Sequence, residues 1–313
     1  MENAVQNSSI EVIINAGSGA DDKDETIEKL KDIFAANRIE ARFLLAHGGE
    51  ELLAMAKRAA EGNAQIVIAA GGDGTVSAVA AALVGTNKTL GVLPLGTLNH
   101  FAKDLGISFD LADAVSVIAA GRTTEIDVAA VNERIFINNS SIGLYPQIVR
   151  RRELQQQRFG RNKWYAAFWA TIAVLQRHAL FAVKIKTEAE ELARRTPFVF
   201  VGNNEYEIDI LNIGARKNLS DGRLSVYLLH RTRRFDLIWL ALRTITGTLK
   251  QAKDFEALST AELIIETRRK KNRILVAVDG EVAMMDAPLR YSIRPKALKV
   301  IVAEPTENSS ASF

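Results

Sequence analysis

The segment Gly71–Thr75, with the sequence Gly-Gly-Asp-Gly-Thr, constrains the fold of this chain more than any other feature. It follows an apolar run, residues 66–70, and precedes an alanine-rich run, residues 76–84. This order predicts a β-strand that leads through a glycine-rich turn into the N-terminus of a helix. Free N–H groups and the positive end of the helix dipole make such a turn an anion site.

The carboxylate of Asp73 lies inside this predicted anion site. A carboxylate beside a phosphate is repulsive unless a cation lies between the two groups, so the turn indicates a nucleotide with Mg²⁺. A tight strand-to-helix turn without any ligand is the alternative. The turn is neither a P-loop, because no Gly-Lys-Ser/Thr follows, nor the Gly-x-Gly-x-x-Gly fingerprint of dinucleotide-binding folds.

Two further loops follow predicted strands in the same way. Pro94–Ala102 comes after an apolar run and leads into a helix, and Asn15–Gly19 comes after the first predicted strand. Because open α/β sheets bind ligands at the carboxyl ends of their strands, we expect the three loops to lie at one edge of a parallel sheet. Three ordinary turns are the alternative to a phosphate and nucleoside cradle.

The hydrophobic pattern changes along the chain. The first part alternates strand-like and helix-like segments, which favours a parallel sheet with helices on both faces. After Thr124, short strand-like runs separated by turn residues favour a β-sandwich, with helical insertions near residues 147–176 and 234–252. We therefore predict the following division: an α/β domain at 1–125, an all-β domain at 126–305, and a frayed tail at 306–313.

Composition excludes several classes of protein. The 313 residues include no cysteine, so disulfide scaffolds, cysteine metal sites and cysteine nucleophiles are excluded. The net charge of +3 does not indicate a nucleic-acid partner. The N-terminus has no leader pattern, and no apolar run reaches about 18 residues, so we expect a cytoplasmic protein without a transmembrane helix.

Three motifs in order carry a family resemblance. The turn at Gly71–Val76, the loop at Pro94–Ala102 and the segment Asp279-Gly280-Glu281 resemble the diacylglycerol kinase catalytic-domain family, which includes bacterial lipid kinases and the sphingosine and ceramide kinases. The resemblance runs from Asn15 to Ala303. It implies an N-terminal three-layer α/β nucleotide domain, shaped like those of phosphofructokinase and NAD kinase, and a C-terminal β-sandwich. It also implies that ATP and Mg²⁺ serve transfer of the γ-phosphate to the hydroxyl of diacylglycerol or a related lipid alcohol, in phospholipid biosynthesis.

The resemblance also implies roles for individual residues. Asp73 matches the acid of the Mg²⁺–phosphate site, and Glu281 matches the proposed general base of the family. Asp127 and Asp221 match further acids near metal ions, although a plain Asp-Gly hairpin is the alternative at Asp221. A hairpin turn with solvated acids is likewise the alternative for Asp279-Gly280. The matches to the nucleotide loops are Asn15, Ser18, Gly71, Gly72, Gly74, Thr75, Gly96, Thr97 and Asn99.

Two residues that differ from the family pattern, and one basic segment, bear on function. Ala16 stands where the family usually has proline, and His100 stands where many members have aspartate. Arg150–Trp169 places arginines before Trp and Tyr, which is typical of an interfacial helix that contacts a membrane surface. A solvated basic stretch followed by a core helix is the alternative. The sequence does not indicate the oligomeric state, so an oligomer is left open.

Two other functions remain open at this point. NAD kinase shares the Gly-Gly-Asp-Gly-Thr turn and an Asn-Glu pair, which Asn132-Glu133 could match. The loop Pro94–Ala102 and the Asp-Gly-Glu segment fit the lipid kinases better. A non-catalytic lipid- or nucleotide-binding regulator on the same scaffold is the second alternative, and His100 is the residue that supports it.

Overall fold

The computed structural model describes the following residues: 5, 9–17, 23–147, 149–150, 180–206, 216, 218–229, 255–267 and 273–304. Several predicted features lie outside them: Ser18, the segment 151–169 of the predicted membrane contact, most of the insertion at 147–176, the insertion at 234–252, and the tail 306–313. The chain divides into two compact units. Unit 1 combines Met1–Val128 with Pro295–Phe313, and unit 2 is Ala129–Arg294.

Unit 1 alternates strands and helices. Its elements are β1 (Ile10–Asn15), α1 (Lys23–Ala36), β2 (Arg42–Ala46), α2 (Gly49–Glu61), β3 (Ile66–Gly71), α3 (Asp73–Leu83), β4 (Thr89–Pro94), α4 (His100–Asp104) and α5 (Leu111–Ala120). The strands run parallel in the order β2-β1-β3-β4. Every residue of β3 and β4 is buried, as is typical of central parallel strands that are covered on both faces.

Unit 2 is built from β-strands. They are β6 (Arg134–Phe136), β7 (Asn139–Gly143), β8 (Phe181–Thr187), β9 (Glu191–Thr196), β10 (Phe198–Asn203), β11 (Leu224–Leu229), β12 (Phe255–Thr260), β13 (Glu262–Thr267), β14 (Arg273–Val278) and β15 (Glu281–Asp286). Two longer strands, β5 (Thr123–Val131) and β16 (Leu289–Ile301), cross the division between the units.

The strands of unit 2 form two layers. One sheet has the order β12-β11-β10-β7-β14-β15, and the other contains β16-β13-β8-β9 together with the β5–β6 hairpin. Inward residues of both layers, such as Val201, Val276, Ile185 and Leu263, pack into one buried cluster. A shared core between two sheets defines a β-sandwich, so the predicted α/β plus β-sandwich fold class is confirmed.

Unit boundaries and strands differ in detail from those predicted. The first division falls after Val128, three residues beyond the predicted junction, and residues 295–304 return to unit 1. They return because the end of β16 pairs in parallel with β4, with Lys299 opposite Thr89. Strands β9, β12 and β15 were not predicted. All three lie at sheet edges, and their sequences do not alternate between polar and apolar residues. Among the helices of the described residues, none is long and apolar enough to cross a bilayer.

Candidate functional site

The turn after β3 and the loop after β4 touch through their backbones. The ladder between the two strands ends at Gly71 and Pro94, and the Leu95 N–H donates to the Gly71 carbonyl at 3.0 Å. A Cβ at Gly96 would clash with the Cα of Gly72, and a Cβ at Gly71 would clash with the Thr75 side chain. Glycine is therefore required at both positions by packing rather than by backbone angles.

Asn99 closes the second loop on itself. It is buried and adopts a left-handed conformation with φ of +47°. Its Oδ1 accepts the Gly96 N–H at 3.1 Å, and its Nδ2 donates to the Gly96 carbonyl at 2.8 Å. Thr97 and Leu98 are exposed between these two residues. Asn99 thus fixes the shape of the loop, while the loop tip faces solvent.

The loop after β1 is tied to the glycine turn. Asn15 Nδ2 donates to Thr75 Oγ1 at 3.0 Å, and Asn15 Oδ1 accepts the Gly17 N–H at 2.9 Å. Thr75 is buried in the first turn of α3. Since β1, β3 and β4 are neighbouring parallel strands, the three predicted loops lie together at their carboxyl ends.

Asp73 is the acidic residue of this loop cluster. It is half-buried at the start of α3, and its Oδ1 accepts the Phe101 N–H at 3.4 Å. Phe101 follows His100, the first residue of α4. The carboxylate therefore links the glycine turn to the second loop as well as lying beside the N-terminus of α3.

The N-terminus of α3 is suited to an anion. Its N-cap is Gly72, which supplies no side-chain acceptor to the first N–H groups of the helix. A Cβ at Gly74 would meet no atom within 4 Å, so the turn is open on that side. Mg²⁺ in phosphate-transfer sites is usually held by one or two carboxylates together with phosphate oxygens. A single carboxylate beside an uncapped helix N-terminus fits both a phosphate group and Mg²⁺.

The other two aspartates predicted as metal ligands have protein partners. Asp127 is buried in β5, and its Oδ1 accepts the N–H of Lys296 at 2.9 Å. Lys296 has a φ of +52°, so Asp127 stabilises a left-handed bend in β16. Asp221 is exposed before β11, and its Oδ1 accepts from Asn218 Nδ2 at 2.7 Å. Across the described ranges, no group of three or more His, Asp or Glu side chains could hold a metal ion.

Asp279 lies in the hairpin turn between β14 and β15. Asp279 and Gly280 have φ values of +47° and +85°, which is typical of a type I′ turn. The Asp279 carboxylate accepts three backbone N–H groups, from Ile137 and Asn138 at 2.9 Å and from Asn139 at 3.0 Å. The hairpin alternative is thus correct for the backbone, but this acid is bound to the β6–β7 connection.

Glu281 follows the same turn as the first residue of β15. Its side chain is 65% exposed, and its Oε2 accepts from Arg134 Nη2 of β6 at 2.5 Å. Arg134 was not among the predicted site residues, because a single arginine in a short strand carries no local signal of its partner. An exposed carboxylate of this kind is accessible to an external hydroxyl group and can act as a general base.

The Asn132-Glu133 pair forms the turn of the β5–β6 hairpin. Both residues are left-handed, with φ values of +45° and +73°. Asn132 Oδ1 accepts the Arg290 N–H at 2.8 Å, and Asn132 Nδ2 donates to the Asp286 carbonyl at 3.0 Å. The asparagine is therefore committed to backbone groups and lends no support to the NAD kinase alternative.

Comparison with known families matches both units. Residues 9–131 match the diacylglycerol kinase catalytic domain, and residues 142–302 match the YegS C-terminal NAD kinase beta sandwich-like domain. A diacylglycerol kinase structure from Bacillus anthracis superposes with a TM-score of 0.69 at 19% identity, over 95% of this chain and 97% of that chain. Another protein of that organism, described as a candidate diacylglycerol kinase, gives a TM-score of 0.75 at 23% identity over 95% and 98%. At these identities the superpositions show the fold alone.

Curated relatives match over shorter lengths. An uncharacterized protein of Synechocystis is 29% identical over 248 residues, which cover 78% of this chain and 55% of that protein. A protein of Klebsiella pneumoniae named "Probable lipid kinase YegS-like" is 48% identical over 89 residues, or 28% of this chain and 30% of that protein. A diacylglycerol kinase of Staphylococcus aureus is 39% identical over 95 residues, which is 30% of each chain. This chain thus spans 30% to 55% of the length of these relatives. Because family models match residues 9–131 and residues 142–302, the chain belongs to the diacylglycerol kinase catalytic-domain family.

Proposed function

We propose that this chain is an ATP-dependent lipid kinase that transfers the γ-phosphate to the hydroxyl of diacylglycerol or a related lipid alcohol. The observation that carries the proposal is the glycine turn, which is pressed against the second loop at Gly96 and leaves the N-terminus of α3 open beside Asp73. The names of two relatives, a lipid kinase and a diacylglycerol kinase, support the same reaction.

The loops of unit 1 would bind the nucleotide through their backbones. The N–H groups of Asp73 and Gly74, at the positive end of α3, would donate hydrogen bonds to phosphate oxygens. Asn15 and Asn99 would keep the loops in this shape through the bonds that they make within and between them. Mg²⁺, when bound, supplies positive charge to the phosphates, and Asp73 is the residue that would hold it.

Glu281 would take the proton of the acceptor. As the hydroxyl oxygen bonds to the γ-phosphorus and the bond to the departing ADP oxygen breaks, the hydroxyl proton passes to the Glu281 carboxylate. The exposed position of this side chain suits a bulky lipid alcohol, which must approach from outside the sandwich core. The proton then returns to solvent.

A phosphorylation assay tests this proposal. The 313-residue chain is incubated with labelled ATP, Mg²⁺ and either mixed lipid micelles or NAD. We expect labelled lipid, identified by mass spectrometry, and a fall of about 10²- to 10⁴-fold in its formation for Glu281→Gln. Glu191→Gln is the control, because Glu191 is also exposed in unit 2 and forms an ion pair with a cationic side chain, Lys184. Labelled NAD, no labelled lipid from a total extract, or a Glu281→Gln variant as active as the parent would contradict the proposal.

A further inference from the structure

The β14–β15 turn is held at two carboxylates by one short segment. Residues 137–139 donate three N–H groups to Asp279, and Arg134, a few residues earlier, donates to Glu281. The two contacts fix the turn and the first side chain of β15 from the same side. Asp279 is held by backbone groups, whereas Glu281 depends on one side chain.

Arg134 extends from a well-anchored hairpin. Two residues beyond it, Phe136 is fully buried and packs edge-to-face on Tyr291, with ring centroids 6.3 Å apart. At the other end of the hairpin, Asn132 is bonded to Arg290 and to the Asp286 carbonyl. The backbone from which Arg134 extends is therefore anchored, and its planar guanidinium group can hold a carboxylate in a defined orientation.

The ion pair does little for stability. The side chains of Arg134 and Glu281 are 36% and 65% exposed, so solvent screens the attraction between them and the pair contributes little to folding. Instead, the ion pair orients the Glu281 carboxylate. Arg134 occupies Oε2 of Glu281, while no residue in the described part of the chain donates a hydrogen bond to Oε1. One oxygen is thus held and the other remains available.

We propose that Arg134 is a positioning residue for Glu281: it holds Oε2 so that Oε1 is presented to the acceptor hydroxyl. This inference rests on the proposed function, in which Glu281 receives the acceptor proton. Without Arg134, an exposed glutamate would sample several side-chain rotamers, and only some of them would bring the carboxylate to the hydroxyl.

Steady-state kinetics of full-length variants test the inference. Arg134→Met is expected to lower kcat about 10-fold, with KM for ATP unchanged, because misplacement of a reacting group costs rate rather than nucleotide binding. Arg134→Lys keeps a donor and a charge and should recover most of kcat. The matched control is Arg273→Met, which removes an arginine paired with Asp286 at 3.8 Å on the same hairpin and should leave kcat unchanged.

A double-mutant cycle separates positioning from a direct role. In the Glu281→Gln background, Arg134→Met should cause no further loss, since its effect passes through the carboxylate. A further 10-fold loss there, parental kcat in Arg134→Met, or a urea midpoint for Arg134→Met well below that of Arg273→Met would overturn the inference. If the parent makes labelled lipid and Glu281→Gln makes far less, any of these three results rejects the role of Arg134 but not the proposed function. If the parent makes no labelled lipid, the proposed function itself fails.

Discussion

The glycine loops of unit 1 and the acidic turn of unit 2 are built in opposite ways. Gly96 and Asn99 are three positions apart, and their contacts are made within one loop or with the neighbouring turn. Asp279 instead binds Ile137, which is 142 positions away. The loops thus depend on close backbone packing and on neutral side chains at the ends of neighbouring parallel strands, whereas the turn depends on charged side chains and on contacts between strands that are far apart along the chain.

Gly96→Ala tests the local half of this comparison and should have the largest effect. The added Cβ would displace Gly72 and with it the start of α3, so we expect lipid phosphorylation to fall by about 100-fold. The rate of labelled lipid formation is the measurement. Gly49→Ala, at a position where a Cβ meets nothing within 4 Å, is the control and should keep full activity. Equal rates for the two variants would show that the contact between the loops is not needed.

Asp279→Asn tests the long-range half. The amide keeps the shape of the side chain but sets its NH₂ group against one of three backbone donors, so we expect a loss of about 1–3 kcal/mol in the free energy of unfolding. Urea denaturation measures it. Asp286→Asn, on the exposed end of the same hairpin, should change the midpoint little. A midpoint for Asp279→Asn equal to this control would mean that the carboxylate does not hold the turn.

Asn99 combines features of both regions, since its role in the loop needs a left-handed φ angle and two side-chain hydrogen bonds to Gly96. Asn99→Ala loses two hydrogen bonds and keeps the left-handed φ, whereas Asn99→Gly loses the same bonds without the steric cost. We expect Asn99→Ala to be less stable than Asn99→Gly by about 1 kcal/mol in urea unfolding. The reverse order would show that backbone strain at this position is unimportant.

The buried hydroxyl of Tyr291 provides a further test in unit 2, whose core contains polar groups. Burial raises the pKa of its hydroxyl, which contacts Ser140 Oγ at 3.2 Å. Above about pH 10, the unfolded chain loses this proton and the native protein keeps it, so the free energy of unfolding falls by up to about 1.4 kcal/mol per pH unit.

Tyr291→Phe removes the hydroxyl whose titration causes this loss of stability. We expect the variant to lose stability less steeply than the parent between about pH 9 and about pH 11, when urea unfolding is measured across that range. Tyr227, whose pKa is also raised by burial, remains in both proteins and serves as the common background. Parallel declines in the two proteins would show that Tyr291 is not the group responsible.

Local patterns predicted much of the fold. The buried strands β1, β3 and β4 and helix α3 were predicted, because strands buried on both faces are nearly continuous apolar runs and α3 directly follows the glycine turn. The edge strands β9, β12 and β15 were not predicted, since their short sequences do not alternate between polar and apolar residues. Asn99 illustrates a similar limit: its place in the loop could be predicted, but its bonds to Gly96 depend on a φ angle that the sequence does not display.

The sequence by itself determined the order of elements, the glycine turn with its acid, and the family, because these are patterns of residue types along the chain. Only the tertiary structure decided that Asp279 binds residues 137–139, that Arg134 reaches Glu281, and that the end of β16 lies beside β4. Such contacts depend on the register of strands that are far apart along the chain. No local pattern contains that register, since it is set by how whole sheets bury their inward faces.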